Sequence, residues 1–255
     1  MADNFKESAV IIRQERIAAG IYSLWLKTSQ IAHYAKPGQF ISVYCKDGSR
    51  ILPRPISICE IDKDSNAIRI VYRIAGAGTR EIADYGTGTT LEILGPLGNG
   101  FPVKDKKAMI IGGGIGIPPM LQLAKELSSD TLIVAGYKDE TFLDAELGKF
   151  GSIYIATEDG STGTRGNVMD VITRYQLKAD IIYACGPTPM LKAIQRYSRE
   201  HEIETWLSME ERMACGIGAC LACVCKSKDK DEHTHVHNKR ICKDGPVISA
   251  QEVEF

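Results

Sequence analysis

Residues 112–119 read Gly112-Gly113-Gly114-Ile115-Gly116-Ile117-Pro118-Pro119, directly after the apolar run 108–111 and at the head of a helix-like segment, 118–127. Four glycines leave a bare backbone, and two prolines suit the first turn of a helix, where a missing N–H costs little. Strand, glycine turn and helix in that order let a pyrophosphate approach the main chain. The stretch lacks a full G-x-G-x-x-G fingerprint, so by itself it also reads as a tight turn. The sequence on either side decides between the two.

Downstream, apolar runs at 131–135, 153–156 and 181–184 alternate with helix-like segments at 139–148, 166–174 and 187–200. Such alternation predicts a parallel sheet with helices on both faces, and ligands bound beyond the carboxyl ends of its strands. The last run ends in Cys185-Gly186-Pro187, a second strand-to-helix turn. A free cysteine is most often a small buried thiol. The strand-end position of Cys185 favours a site instead. Glu158 and Asp159 follow the run at 153–156. Read plainly they are a solvated acidic turn. At a ribose they would accept from a 2′-hydroxyl and repel a 2′-phosphate, which favours NADH over NADPH.

Upstream the pattern changes. Runs at 9–13, 21–27, 39–45 and 67–73 read as short strands, with turns at Lys36-Pro37-Gly38, Lys46-Asp47-Gly48 and Asp64-Ser65-Asn66. They predict an antiparallel barrel or sandwich. Gly95-Pro96-Leu97-Gly98-Asn99-Gly100 reads as a loop, being too rich in glycine for an element interior. Within this half lies Arg54-Pro55-Ile56-Ser57. An arginine beside a rigid proline can fix a phosphate bidentately, and a serine hydroxyl both donates and accepts. Val71-Tyr72-Arg73 precedes Gly76-Ala77-Gly78-Thr79. Thr79 as a helix N-cap would leave N–H groups facing an anion. Each motif alone is weak, because such residues in β domains mostly lie on the surface.

Near the end stands Cys215-Gly216-Ile217-Gly218-Ala219-Cys220-Leu221-Ala222-Cys223, followed by Cys242. The spacing is C-x4-C-x2-C-x18-C, the plant-type pattern for a [2Fe–2S] cluster. Structural zinc more often shows two close cysteine knuckles, and only Cys220/Cys223 makes one. A disulfide framework needs an oxidising compartment. Cys225 follows Val224 in a short strand-like run and reads as a buried, unligated thiol. Ile217 and Leu221 are candidates for an apolar patch around the loop. His233, His235 and His237 alternate in a polar stretch. They read as a metal-binding face or, more simply, as an exposed hairpin tip.

The 255-residue chain carries 31 Lys plus Arg against 32 Asp plus Glu, so no basic excess points to nucleic acid. Glycines and prolines break the most apolar stretch, so no membrane span is expected. The first residues hold no apolar signal core. Eight cysteines in such a chain point to a reducing cytoplasm and to metal work.

Together, Lys36-Pro37-Gly38-Gln39-Phe40, Arg54-Pro55-Ile56-Ser57, Gly78-Thr79 and Gly95-Pro96-Leu97-Gly98 resemble the flavin domain of the ferredoxin–NADP reductase superfamily. The turns at Gly112 and Cys185 resemble its pyridine-nucleotide domain. With the terminal cysteine module, the chain as a whole resembles the electron-transfer subunits of B-type dihydroorotate dehydrogenase, most closely at 210–225 and 236–247. The resemblance implies an α+β multidomain protein. It would have an antiparallel β-barrel FAD domain (1–104), an α/β parallel-sheet NAD-binding domain (105–205) and a small C-terminal [2Fe–2S] module (206–255).

By that resemblance, Arg54, Pro55 and Ile56 and the Gly78/Thr79 turn would hold FAD, with Ser57 beside flavin N5. Val71, Tyr72 and Arg73 would line the isoalloxazine and ribityl region. The loop from Gly95 to Gly98 would approach the nicotinamide side. Gly112, Gly113, Gly114 and Gly116 would cradle NAD(H) phosphates, Glu158 and Asp159 the ribose, and Cys185, Gly186 and Pro187 the nicotinamide. Ser57 and Cys185 would stand at the reacting atoms. Cys215, Cys220, Cys223 and Cys242 would ligate the cluster. The implied partner is a separate FMN-bearing catalytic subunit that interconverts dihydroorotate and orotate in pyrimidine biosynthesis, in a cytoplasmic heterotetramer. The competing expectations are the small subunit of an NADH-dependent ferredoxin–NADP transhydrogenase or of a hydrogenase, and a zinc-binding, non-catalytic scaffold.

Overall fold

The computed structural model describes residues 4–127, 130–230 and 235–255. The first half is a closed antiparallel barrel. Its elements are β1 (Phe5–Ala18), β2 (Ile21–Lys27), α1 (Ile31–Tyr34), β3 (Phe40–Val43), β4 (Arg54–Asp62), β5 (Ala67–Arg73), α2 (Ala77–Ala83) and β6 (Thr90–Leu97). The strand order is β1-β2-β5-β4-β3-β6. Closure leaves no sheet edge to aggregate. Side-chain alternation explains the barrel's two faces. In β5, Ile68, Ile70 and Tyr72 join the barrel core with Leu24, Leu26 and Ile41. Val71 faces the other way, into a core shared with Ile110 and Ile117 of the second half.

The sequence alone misplaces one stretch here. Gly95, Pro96 and Leu97 are not loop but the buried end of β6. A Cβ on Gly95 would lie 2.7 Å from Ile41 Cγ2, so glycine is what lets β6 approach β3.

The second half is a seven-stranded sheet. It contains β7 (Ala108–Gly113), α3 (Pro118–Glu126), β8 (Leu132–Tyr137), α4 (Asp144–Leu147), β9 (Ser152–Thr157), β10 (Thr164–Arg165), α5 (Val168–Arg174), β11 (Ile181–Cys185), α6 (Thr188–Glu200) and β12 (Glu204–Ser208). The order β10-β9-β8-β7-β11-β12 is parallel throughout. The chain runs outward one way from β7 and then restarts on its other side at β11. The crevice at such a reversal is where open α/β sheets bind ligands.

The expected helix over 139–148 shrinks to the single turn of α4. Leu143, just before it, has a left-handed φ of 62°, which no helix interior accommodates.

The remaining strands are a hairpin of β13 (Val224–Lys226) and β14 (Asn238–Arg240), and β15 (Val247–Ser249). β15 pairs antiparallel with β12 and forms the seventh strand of the sheet. Among the described residues, no helix is long and apolar enough to cross a membrane.

Candidate functional site

The barrel brings Arg54 and Gly78 together. Arg54 opens β4, and Gly78 lies in the first turn of α2. A Cβ on Gly78 would collide with the Arg54 guanidinium, so only glycine lets the arginine lie flat on this turn. Thr79 is not the N-cap. That place belongs to Gly76, and Thr79 sits at the third helical position. Its Oγ1 accepts from the N–H groups of Ala75 (2.9 Å) and Gly76 (3.2 Å). The threonine orders the loop that leads into the helix, because a hydroxyl at that position can reach back to donors ahead of it. A bidentate guanidinium over a turn of backbone N–H groups suits a pyrophosphate.

Pro55 is exposed and Ser57 half-buried, both on β4, while Ile56 between them points into the barrel core. Val71 and Tyr72 are 3% and 2% exposed and lie on opposite faces of β5. Tyr72 stacks on Tyr22 inside the barrel, at a centroid distance of 6.0 Å. Of the three residues expected along the flavin, Arg73 alone keeps an exposed side chain. Its Nη2 would lie 3.7 Å from a Cβ on Gly114, so it reaches across to the glycine turn of the sheet.

The two sheet turns adjoin. Gly112 and Cys185 are register partners at the ends of β7 and β11. A Cβ on Gly116 would meet the Cys185 carbonyl and lie 2.6 Å from the Gly186 amide nitrogen. A Cβ on Gly113 would lie 2.6 Å from Met190 Sδ and 3.1 Å from Pro187 Cδ. These glycines let two strand-end turns close into one crevice floor. Burial pushes the Cys185 thiol up to about 12, against a weaker pull from Ser208. It is therefore a neutral thiol at pH 7. Glu158 and Asp159 are exposed beyond β9. Asp159 accepts from the Ser161 amide (3.0 Å) and hydroxyl (2.7 Å), which holds its carboxyl below the ordinary value.

Glycine turns and backbone N–H groups shape the four-cysteine loop. Gly216 and Gly218 take φ of 70° and 85°. The Gly218 N–H donates to Cys242 Sγ (3.1 Å), Ala219 N–H to Cys215 Sγ (3.3 Å), and Cys242 N–H to Cys223 Sγ (3.4 Å). Burial works to raise the Cys215 thiol. The Ile217 amide, then the Cys220 thiol and amide, outweigh it and bring the group down to about 6. Cys242 is pushed up to about 12, first by burial and then by Cys223. A metal centre must therefore displace protons from this set. Cys223 and Cys242 are buried and Cys220 is exposed. The donor chemistry fits a thiolate-held cluster whose sulfurs accept backbone N–H bonds. Ile217 and Leu221 are 51% and 45% exposed on the same loop.

Cys225 lies buried in β13, paired across the hairpin with Lys239. His237 Nδ1 lies 2.8 Å from the Lys228 carbonyl. His235 is exposed, and His233 lies outside the described residues.

The loop rests on the barrel. A Cβ on Gly216 would lie 3.0 Å from Ser42 Oγ and 3.5 Å from Leu97 Cδ1. Ser42 is the register partner of Pro55, so the cysteines sit beside the strand pair that carries Ser57.

Two residues outside the expected site complete the assembly. Asn99 donates to the carbonyls of Asp244 (3.2 Å) and Val247 (2.8 Å) and accepts from Val247 N–H (3.0 Å). Gly98 packs on Gly245 and Pro246. The stretch expected near the nicotinamide therefore clamps the segment after Cys242. Gln195 of α6 donates to the carbonyls of Ala250 (2.7 Å) and Val253 (2.9 Å).

A barrel with an anion cradle, a sheet with a crevice at its strand reversal and a four-thiol loop between them define a flavin and iron–sulfur oxidoreductase of the ferredoxin–NADP reductase type. Residues 210–254 match the iron–sulfur cluster binding domain of dihydroorotate dehydrogenase B. The chain is 41% identical, over 97% of its length and 98% of the relative's, to the dihydroorotate dehydrogenase B (NAD(+)) electron transfer subunit of Geobacillus sp. (strain WCH70). It is 39% identical, over the same shares, to the subunit of that name from Bacillus cereus (strain G9842). A solved NADH-dependent reduced ferredoxin-NADP oxidoreductase shares the fold at a TM-score of 0.87 and 24% identity, over 97% of this chain and 90% of the other. A ferredoxin reductase of carbazole 1,9a-dioxygenase superposes at 0.65 and 17% identity, over 78% and 67%. The chain belongs to the family of dihydroorotate dehydrogenase B electron transfer subunits.

Proposed function

We propose that this chain carries electrons between NAD(H) and a separate catalytic subunit that interconverts dihydroorotate and orotate. The supporting observation is the cysteine loop resting at Ser42, against the strand pair that bears Pro55 and Ser57. Bound here, FAD would exchange a hydride with NAD(H), and a [2Fe–2S] cluster would pass single electrons.

The chain's own residues do the holding. Arg54 and the Gly78/Thr79 turn would bind the FAD pyrophosphate, and Arg73, which reaches toward Gly114, would help hold the flavin beside the nucleotide turn. Ile56 and Tyr72 fill the barrel core and Val71 the core shared with the sheet, so that with the exposed Pro55 they would shape the wall that holds FAD. Ser57 would offer its hydroxyl to the reacting edge of the flavin. Gly112, Gly113, Gly114 and Gly116 let the NAD(H) phosphates reach the backbone. Gly186 and Pro187 shape the turn at the nicotinamide, and Cys185 presents a neutral S–H there. Glu158 and Asp159 select NADH over NADPH. Cys215, Cys220, Cys223 and Cys242 hold the iron. The working units are 1–104 for FAD, 105–205 for NAD(H) and 206–255 for the cluster, with β12 running across the second boundary to Ser208 and β15 of the last unit returning to the nucleotide sheet.

The partner is an FMN-bearing barrel subunit, in a cytoplasmic heterotetramer of two copies of each. Identity of 41% to dihydroorotate dehydrogenase subunits, against 24% to the ferredoxin-linked oxidoreductase, favours this reading over a transhydrogenase or hydrogenase subunit.

Anaerobic affinity purification from the native cell tests the reading. Co-elution of an FMN enzyme, with dihydroorotate-dependent NAD⁺ reduction only in the complex, supports it. Recovery of a larger iron–sulfur flavoprotein or a hydrogenase refutes it, as does full dihydroorotate turnover by this chain alone. NADPH used as efficiently as NADH would remove the role given to Glu158 and Asp159.

A further inference from the structure

One face of β5 spans the boundary between barrel and sheet. Arg69, Val71 and Arg73 alternate outward from the barrel. Val71 enters the shared core and Arg73 reaches Gly114. Arg69, about 13 Å back along the strand, is the anchor.

Arg69 is 5% exposed. Its Nε donates to Ser23 Oγ at 2.8 Å. Its Nη1 and Nη2 donate to the two carboxylate oxygens of Glu146, at 2.6 and 3.2 Å. Nη1 also lies 3.4 Å from Glu60 Oε2, and Lys125 of α3 holds the other oxygen of Glu60 at 2.7 Å. The Trp25 ring lies 6.0 Å from the guanidinium. Ser23, Trp25 and Glu60 belong to the barrel, whereas Glu146 and Lys125 belong to the sheet domain.

A buried guanidinium is costly unless it is fully paired. Here the pairing is complete only while the two halves keep one relative placement. The two-point fork to Glu146 fixes angle as well as distance. Lesser contacts lie on the same boundary, with Gln122 Oε1 accepting from Ile61 N–H (2.8 Å) and Glu140 Oε2 from Ala19 N–H (2.7 Å).

We propose that Arg69 is a positioning residue for hydride exchange. It locks barrel to sheet so that the nicotinamide held at Gly112–Cys185 meets the flavin held at Arg54–Ser57 in reacting geometry. The proposal rests on the function assigned above. It adds a residue far from both cofactors that acts through the placement of α4.

The test uses the full chain loaded with FAD and cluster. Arg69→Met, Arg69→Lys and Glu146→Gln are compared with the parent. The readings are FAD and iron content, the limiting single-turnover rate of flavin reduction by NADH, and the long-wavelength charge-transfer absorbance of nicotinamide stacked on flavin. A displacement of about 1 Å costs a reaction of this kind about 10²-fold. Arg69→Met and Glu146→Gln should approach that loss and weaken the charge-transfer band, with FAD and iron retained. Arg69→Lys keeps the charge without the fork and should fall between. The double variant should be no worse than either single, because the two residues act as one unit.

Lys125 still pairs with Glu60 in every variant, and Glu146 is open to water, so folding should survive. An unchanged rate and band in Arg69→Met overturns the proposal. If Arg69→Met loses its FAD, Glu146→Gln decides, and a parental rate there overturns it. A parent protein whose flavin NADH does not reduce would instead refute the assigned function.

Discussion

Asn99 and Val247 hold each other by two hydrogen bonds, side-chain amide to carbonyl at 2.8 Å and backbone N–H to Oδ1 at 3.0 Å. The pair ties the end of β6 to the strand that follows the last cluster ligand. Asp244, three residues before Val247, also accepts from Arg240, whose Nη1 donates to the Gly218 carbonyl in the cluster loop (3.3 Å). The barrel thus grips the cysteine loop from behind. Each such bond is worth about 1 kcal/mol net. Asn99→Ala should lower stability by about 1–2 kcal/mol. It should also slow electron arrival at the cluster without slowing flavin reduction. Thermal unfolding and stopped-flow spectra at flavin and cluster wavelengths check both. Equal slowing of the two steps would contradict the account.

Gly78→Ala places a methyl where the Arg54 guanidinium lies. The arginine must leave the turn, and the pyrophosphate loses its bidentate partner. FAD content after purification should drop sharply, while the cluster absorbance stays. Full flavin occupancy would show that Arg54 is not the anchor.

Gly116→Ala strikes backbone rather than a flexible side chain. The new Cβ meets the Cys185 carbonyl, so the turns after β7 and β11 must part. Overpacking of this kind costs about 1–3 kcal/mol. KM for NADH should rise accordingly, at unchanged FAD and iron content. An unaltered KM would place the nucleotide elsewhere.

Cys225→Ser should leave the cluster spectrum intact, whereas Cys242→Ser should abolish it. Cys225 is held buried in β13 by its pairing with Lys239, whereas the sulfurs of Cys215, Cys223 and Cys242 accept N–H bonds from Ala219, Cys242 and Gly218 within the cluster segment. Loss of the spectrum in the first variant would make Cys225 a ligand.

The parts of this fold that could be read from sequence are those where chemistry forces residue type. Glycines at 112, 116 and 186 admit backbone to backbone, and no other residue does so. Cysteine spacing carries the cluster loop in the same way. Less visible were elements set by tertiary packing. Gly95 and Pro96 look like loop, yet Ile41 needs the missing side chain for β6 to close the barrel. The segment 139–148 has helical composition, but Leu143 takes a left-handed conformation and only one turn forms. Thr79 was recognisable as a capping residue, though its position within the cap was not. Arg69 belongs to no motif, and Asn99 reads only as part of a glycine-rich loop. Their partners lie 77 and 148 residues away, a relation that only the folded chain displays.

The pairing of β15 with β12 reaches beyond the seven-stranded sheet. The cluster segment leaves the sheet after Ser208 and returns at Val247, covering the flank that β12 would otherwise present. The iron–sulfur portion is thus not a detachable tail. Cutting the chain after β12 would bare a row of unpaired peptide groups and invite self-association. Transplanting the cysteine loop onto another flavoprotein would need the closing strand to travel with it. Inheritance of electron carrier and nucleotide sheet is joined through three pairs of facing residues.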